Sequence, residues 1–156
     1  MPTSNESPSL FTTLHHVSLV VENLDDTIHV LGRLGFGPFV DYPPLTDYVR
    51  LEVPDVDAFH NLRIKVCQMG PVALQIIEAK EGTVYGEFLR SRGQGIFHLG
   101  FQVDDIRSAE QSIRDQGLQV LSSGRRADGS GFTYIDSSNE LGVALLLRQN
   151  PLSRAD

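Results

Sequence analysis

Two histidines in this chain of 156 residues each stand at the head of a segment whose apolar residues alternate. The segment "HVSLVV" begins at His16, and the segment "HLGFQV" begins at His98. Strict alternation of apolar residues predicts a half-buried β-strand. Imidazole nitrogens bind metal ions and exchange protons near neutral pH. These two residues are therefore candidates for metal binding or acid–base chemistry.

The two histidines belong to an internal repeat. "HVSLVVENLDDTIHVLGRLGF" from His16 aligns without a gap with "HLGFQVDDIRSAEQSIRDQGL" from His98, at an offset of 98 − 16 = 82 residues. Each copy predicts a strand and then a helix that ends at a glycine, Gly35 or Gly117. The candidates for capping the helix starts are Asn23 or Asp25 in the first copy and Asp104 or Asp105 in the second. If the copies fold about an approximate twofold axis, both histidine rings face one hollow.

Three extended segments follow each predicted helix, so each copy predicts a βαβββ module. They are "FGPFVDY", "NLRIKVCQ" and "VALQIIEA" in the first copy, and "LQVLSSG", "FTYIDS" and "GVALLLRQ" in the second. Between the copies, "KEGTVYGEFLRSRGQ" predicts a helical connector that Thr83 caps and Gly93 ends. The predicted organisation is a flexible N-terminal tail (1–12), a first module (13–80), the connector (81–94), a second module (95–149) and a C-terminal tail (150–156).

The composition excludes several classes of protein. The net charge of −7 argues against a nucleic-acid partner, because such proteins need a basic face. No apolar run approaches the roughly 18 residues of a membrane span. The polar start "MPTSNESPSLFTT" has no basic or apolar signal region. The single Cys67 suits a reducing compartment, so we expect a cytoplasmic protein, and its thiol is expected to be buried or on a strand surface.

The duplicated βαβββ pattern, with a histidine opening each copy and Gln75 in the last strand of the first, resembles the vicinal oxygen chelate superfamily. "GIFHLGFQVDDI", "LGFGPF" and "LGVALLL" are similar to segments of its methylmalonyl-CoA epimerase and lactoylglutathione-lyase-like members. The resemblance implies an α+β fold in which the two modules form a curved, partly open, eight-stranded mixed sheet around a cleft. It also implies a small-molecule substrate, and members of the superfamily often form homodimers.

The resemblance further implies a divalent metal (Co, Ni, Zn, Mn or Fe) with ligands on the first and last strand of each module. The corresponding positions are His16, Gln75, His98 and Leu146, since "VALQ" at 72–75 aligns with "VALL" at 143–146. The superfamily usually has Glu at the fourth position, and leucine is no ligand. Two imidazoles and one amide are all neutral, so no anion offsets the desolvation of the ion. A substrate enolate or carboxylate could supply that charge, and metal binding stays open.

The missing carboxylate also removes the usual acid–base group, because Leu146 cannot move a proton. The remaining candidates are His16 or His98 without a metal, Lys65, Tyr48, Tyr134 and Glu78. Tyr48, Lys65, Tyr134 and Leu146 are expected to contact the substrate. His15 is expected to face the other side of its strand by simple alternation. The Gly-rich stretch "GRRADGSGF" is expected to be a solvated loop. The alternative is a mobile rim over the cleft, in which Arg125 and Arg126 meet a carboxylate or phosphate.

The sequence thus predicts a glyoxalase-like isomerase, epimerase or lyase that acts on an enolisable carbonyl or thioester. His16, Gln75 and His98 would polarise the carbonyl, through a metal if one binds. One alternative is a metal-free binding protein of the bleomycin-resistance type, which the apolar Leu146 favours. Another is a specialised pathway enzyme that reshapes a hydrophobic substrate through shape and one acid–base group. A homodimer is expected because exposed sheet edges invite pairing.

Overall fold

The computed structural model describes residues 9–152, so most of each predicted tail, residues 1–8 and 153–156, lies outside the described part of the chain. Within it, nine strands form one mixed sheet, and five α-helices connect them. The strands are β1 Leu14–Val21, β2 Val40–Asp41, β3 Tyr48–Glu52, β4 Ile64–Met69, β5 Val72–Glu78, β6 Gly95–Gln102, β7 Val120–Arg126, β8 Gly131–Ile135 and β9 Ala144–Gln149. The helices are α1 Leu24–Arg33, α2 Val56–His60, α3 Val84–Arg92, α4 Ile106–Asp115 and α5 Ser138–Leu141.

The strand order is β2-β4-β5-β1-β6-β9-β8-β7-β3. The strands β1 and β6 that open the two repeats are antiparallel neighbours at its centre, and each pairs in parallel with the last strand of its own repeat. The predicted α+β class and curved mixed sheet are confirmed. The predicted strand number is one too low, because β3 was not recognised. This strand pairs with β7 of the second repeat, a partner about 75 residues away that local pattern does not reveal.

The two long helices follow the repeat closely. α1 begins after Asn23, whose side chain accepts a hydrogen bond from the backbone N–H of Asp26. α4 begins after Asp105, whose side chain accepts in the same way from Ser108. The two caps are separated by the repeat offset, since 105 − 23 = 82, so one of the two candidates in each copy is confirmed. The glycine that follows each helix, at positions 35 and 117, has a positive φ, as predicted.

The connector between the repeats contains α3, which begins after Thr83 and ends before Gly93, as predicted. The first repeat is less regular than the second. β2 and β3 lie at opposite ends of the strand order, yet only residues 42–47 join them. A chain of that length reaches about 25 Å at most, so the sheet must curl to bring its two edges together. We call residues 42–47 the cross-segment; they include a 3₁₀ turn, Leu45–Asp47.

The alternation of each strand sorts the apolar residues between the two faces of the curled sheet. On the outer face, α1 packs over one part of the sheet, where its Leu24 joins a cluster with Ile76. α4 packs over the other part, where its Ile106 joins a cluster with Leu147. The largest cluster fills the inside of the curl; it contains Val20, Leu45, Tyr48, Phe59, Ile77, Tyr85, Phe97, Phe132, Tyr134 and Leu146. Cys67 is buried on the outer face, as expected. No helix among residues 9–152 is long and apolar enough to cross a membrane.

Candidate active site

A β-bulge shapes the start of β1. The pairing with β6 moves from Leu14 opposite Phe101 to His16 opposite Gly100, so two residues of β1 advance against one of β6. The bulge brings the ring of His15 to that of His16, with their Nδ1 atoms 2.8 Å apart. The expectation that His15 faces the other side is therefore wrong, because an extra residue interrupts the alternation.

The second repeat has a matching irregularity. The register shifts again between Ser18 and Leu19, where β6 carries the extra residue, Phe97. The position of this residue follows the repeat, since 97 − 15 = 82. The ring of Phe97 meets that of His98 edge to face, with centroids 5.6 Å apart, as His15 meets His16. A phenylalanine cannot hydrogen-bond, however, so His98 needs another partner for its Nδ1.

The structure brings His16 and His98 together at the centre of the sheet. Their Nε2 atoms lie 2.8 Å apart, and both side chains are almost fully buried. Gly100 makes this approach possible, because a Cβ at that position would overlap the ring of His16. Sequence reasoning did not identify Gly100, since nothing local shows which residue lies across from His16.

Two tyrosines extend the histidine pair into a chain of hydrogen bonds. The hydroxyl of Tyr134 lies 3.0 Å from Nδ1 of His98, and the hydroxyl of Tyr85 lies 2.8 Å from that of Tyr134. Both tyrosines are buried. Tyr85 comes from α3, the connector, and the sequence carries no signal that would place it beside the histidines. The result is a continuous chain of five side chains that runs from His15 to Tyr85.

Burial keeps this chain uncharged at neutral pH. Burial lowers the pKa of His98 to about 3. Burial, and then the charges of His98, His15 and Arg148, hold the pKa of His16 well below its usual 6.5. Burial and then Arg148 lower the pKa of His15 to about 4. Each imidazole therefore has one protonated and one unprotonated nitrogen, and can both donate and accept a hydrogen bond.

The hollow inside the curl is small. Its volume is about 30 Å³, enough for one or two water molecules. Its wall is mostly aromatic and aliphatic, and its polar side chains are His16, Tyr42, Tyr48, Gln75, Tyr85, Tyr134 and Arg148. Among the described residues, no carboxylate lines it. An organic ligand must therefore displace side chains, and it meets a wall without negative charge.

Most of the residues predicted from the sequence line this hollow. Gln75 lies on β5 beside Ser18, and no hydrogen bond joins its amide to another of the described residues. The other predicted residues in the wall are His16, Tyr48, Tyr134 and Leu146, and His98 lies directly behind His16.

Two predicted candidates lie elsewhere. The amine of Lys65 forms an ion pair with Asp41 at 2.6 Å, and Lys65 is not part of the hollow. The carboxylate of Glu78 accepts a hydrogen bond from the backbone N–H of Leu24 and another from Arg63. The structure therefore does not bring these two side chains to the histidine pair.

The donor set does not fit a divalent metal. Two imidazoles and one amide are neutral, Leu146 stands where a fourth ligand would be, and the Arg148 guanidinium lies in the same wall. The two Nε2 atoms already hydrogen-bond each other. Within residues 9–152, no group of three or more His, Cys, Asp or Glu side chains is arranged to hold a metal ion. A doubly charged ion would therefore lose its hydration without gaining an anionic ligand.

A family model described as the glyoxalase/bleomycin resistance protein/dioxygenase superfamily matches residues 15–135. The chain belongs to this superfamily. The match covers more than half of the chain. Vicinal oxygen chelate is another name for this superfamily, so the match confirms the resemblance found in the sequence. None of the curated proteins matches the chain by sequence.

Solved structures of the superfamily share the fold. Methylmalonyl-CoA epimerase from Mycobacterium tuberculosis is 24% identical, with a TM-score of 0.67 over 96% of this chain and 95% of that one. A variant of the Streptomyces coelicolor epimerase in complex with 2-nitronate-propionyl-CoA is 23% identical, with a TM-score of 0.67 over 91% and 99%. A methylmalonyl-CoA epimerase in complex with methylmalonyl-CoA and NH4+ is 22% identical, with a TM-score of 0.67 over 94% and 99%. At these identities the likeness concerns the fold.

Proposed function

We propose that this protein is an isomerase, epimerase or lyase that enolises a carbonyl or thioester compound and uses the neutral His16–His98 pair as its acid–base group. The observation that carries the proposal is the 2.8 Å contact between two imidazoles from equivalent places in the repeats, beside a hollow without a carboxylate in the described residues. The fold shared with methylmalonyl-CoA epimerases supports it.

His16 supplies the base for enolisation, because it is the member of the pair that lines the hollow. One Nε2 of the pair carries a proton and the other does not, because they hydrogen-bond each other while both rings are neutral. With that proton on His98, the unprotonated Nε2 of His16 takes the proton from the carbon next to the carbonyl, and the C–H electron pair forms the C=C bond of the enolate as the carbonyl π pair moves to oxygen. The amide of Gln75, which lines the same hollow, donates a hydrogen bond to that oxygen. In an epimerase, a proton from water is added to the opposite face of the carbon, and the protonated imidazole returns its proton to water.

The surrounding groups prepare the pair for this step. Tyr134 holds the Nδ1 of His98, and His15 holds the Nδ1 of His16, so both rings are fixed in orientation. His16 lines the hollow, so a substrate bound there replaces His98 as the hydrogen-bond partner of the His16 Nε2 atom. The low pKa of each ring keeps an unprotonated nitrogen available at neutral pH. Carbanion formation therefore needs no carboxylate from the protein.

Solvent-deuterium exchange tests the proposal directly. The purified protein is incubated in deuterium oxide with EDTA and either hydroxyacetone or the N-acetylcysteamine thioester of propionate, and loss of the α-proton signal is followed by NMR. We expect exchange above the uncatalysed rate for at least one compound, and a loss of about 100-fold or more in His98→Ala.

The matched control is His29→Ala, because His29 is exposed on α1, away from the hollow. This variant is expected to exchange at the original rate. The proposal is wrong if neither these compounds nor a small oxo acid such as 2-oxobutyrate exchanges, or if exchange survives in both His16→Ala and His98→Ala.

A metal-free binding protein is the second candidate function. The aromatic and aliphatic wall, with Leu146 at the position of the superfamily's usual carboxylate, favours it. Tight binding of an aromatic compound without any deuterium exchange would support this function over the first. Assembly as a homodimer and a cytoplasmic location stay predictions, and sedimentation of the purified protein tests the former.

A further inference from the structure

Two arginines from different strands converge on a pair of tyrosines at one end of the hollow. Tyr42, on the cross-segment, and Tyr48, at the start of β3, have hydroxyls 2.7 Å apart. Arg126 of β7 donates to the Tyr48 hydroxyl at 2.8 Å, and its guanidinium carbon lies 4.4 Å from the centre of the Tyr48 ring. Arg148 of β9 donates to the Tyr42 hydroxyl at 3.5 Å. We call these four residues the tyrosine–arginine cluster.

The sequence did not predict this cluster. The stretch that contains Arg125 and Arg126 was expected to be a solvated loop, but β7 extends through Arg126. The two arginines point to different surroundings, because neighbouring residues of a strand face opposite sides. Arg125 hydrogen-bonds Glu110 of α4 at 3.1 Å, on the outer face. Arg126 reaches Tyr48 instead.

No carboxylate neutralises the two guanidinium groups of the cluster. In the described part of the chain, neither Arg126 nor Arg148 forms an ion pair, although seven other pairs are present. Asp128 is near enough to feel the charge of Arg126, but its oxygens accept hydrogen bonds from Ser130 and from the backbone of Leu152. A protein with a net charge of −7 thus keeps two half-buried cations that form no ion pair with any carboxylate of residues 9–152. Half-buried, unpaired charges are costly unless something else compensates them.

The cluster and the histidine pair belong to one space. Arg148 follows Leu146 by two residues on β9, so the two face the same side about 7 Å apart. Both line the hollow together with His16, and the charge of Arg148 acts on His15 and His16. A small molecule in the hollow that reaches Arg148 therefore also reaches the imidazole of His16.

We infer that the tyrosine–arginine cluster binds a carboxylate of the ligand, so that the substrate is a small oxo acid with its carbonyl at His16 of the histidine pair. The inference rests on the proposed function and names its substrate class. Guanidinium groups bind carboxylates through two parallel hydrogen bonds, and a free tyrosine hydroxyl proton adds a third donor. The long 3.5 Å contact between Arg148 and Tyr42 is the bond that the carboxylate replaces.

Calorimetric titration of the full chain tests the inference. The probes are 2-oxobutyrate, levulinate and 3-benzoylpropionate, each compared with its uncharged methyl ester, and hydroxyacetone phosphate serves as the phosphate probe. At least one acid is expected to bind tenfold or more tightly than its ester. Arg148→Gln is expected to remove that preference, Arg148→Lys to keep part of it, and Arg107→Gln, an exposed arginine of α4, to leave it unchanged.

The outcomes distinguish a failure of the carboxylate site from a failure of the proposed enolisation. If no acid binds better than its ester, or if Arg148→Gln and Arg126→Gln both keep the preference in folded protein, the carboxylate site is overturned. Binding of hydroxyacetone phosphate alone also overturns it. If the acid binds through Arg148 but its α-protons do not exchange with deuterium, the carboxylate site stands and the proposed function fails. If acid and ester exchange equally and the arginine variants change neither, the proposed function stands and the carboxylate site fails.

Discussion

The imidazole of His16 lies across the backbone of Gly100 on the neighbouring strand. The contact between the two histidines therefore depends on position 100 having no side chain. Ser18, which corresponds to Gly100 in the repeat because 100 − 18 = 82, lies opposite His98 and does carry a side chain. The two histidines are thus equivalent in sequence but not in surroundings, and only His16 lines the hollow.

Replacing Gly100 by alanine tests this dependence. The added Cβ would overlap the ring of His16, so the ring must rotate away and lose its contact with His98. We expect a loss of about 1–3 kcal/mol in the free energy of unfolding, as in other overpacked sites, and a loss of at least about tenfold in deuterium exchange. Chemical denaturation and the exchange assay measure the two effects.

Gly95→Ala is the matched control for Gly100→Ala. Gly95 is on the same strand, its φ is not positive, and no atom lies within 4 Å of the position of the added Cβ. Its free energy of unfolding is expected to change by no more than about 0.5 kcal/mol. Equal effects of the two substitutions would contradict the role given to Gly100.

At the scale of elements, the sequence predicted correctly the features that depend on residues close together in the chain. The alternation in β1 and β6, the caps Asn23 and Asp105 and the glycines after both helices all depend on residues close in the chain, and the structure has them. β3 was missed because its partner is β7, far away in the sequence. The bulge at His15 was missed because alternation assumes a regular ladder.

The same division applies to the candidate site. Its histidines, Gln75 and Leu146 were found through the repeat and the family resemblance. Tyr85 was not found, because α3 meets Tyr134 only after folding. Arg126 was considered only as a carboxylate or phosphate ligand on a rim loop, because its partner Tyr48 lies 78 residues away in the chain. Sequence reasoning therefore found the residues that the repeat marks, and it could not show which distant residues the fold brings together.

The cap of α4 gives a prediction at this scale. Asp105→Ala removes the side-chain oxygen that accepts from the backbone N–H of Ser108, so we expect a loss of about 1 kcal/mol in the free energy of unfolding. Asn23→Ala, at the equivalent place in the repeat, is expected to cost a similar amount. Urea denaturation measures both, and Asp104→Ala, an exposed neighbour, is the control. A loss of the same size in the control would show that charge rather than capping is responsible.

At the scale of the whole molecule, the two repeats have diverged at two equivalent positions of one site. The equivalent pairs are His15 and Phe97, and Gln75 and Leu146. The first member of each pair is polar and the second is apolar. The central antiparallel pairing of β1 and β6 joins the repeats, so the hollow lies between two copies of one motif with different chemistry. This arrangement keeps a row of neutral imidazoles inside a protein whose overall charge is strongly negative.

Those buried imidazoles make the stability of the fold depend on pH. His98 has a folded pKa of about 3 against 6.5 when exposed, and the pKa values of His15 and His16 are lowered as well. Between these values the unfolded chain binds protons that the folded protein does not, so stability rises with pH and falls as the pH decreases below 6.5. His98 alone is expected to contribute a loss of about 2 kcal/mol between pH 7 and pH 5. Urea denaturation at both pH values, with EDTA present, measures this loss. His98→Gln should reduce the difference in stability between the two pH values, and His29→Gln, at an exposed histidine, should not. A wild-type stability that does not change over this range would rule out a neutral buried pair.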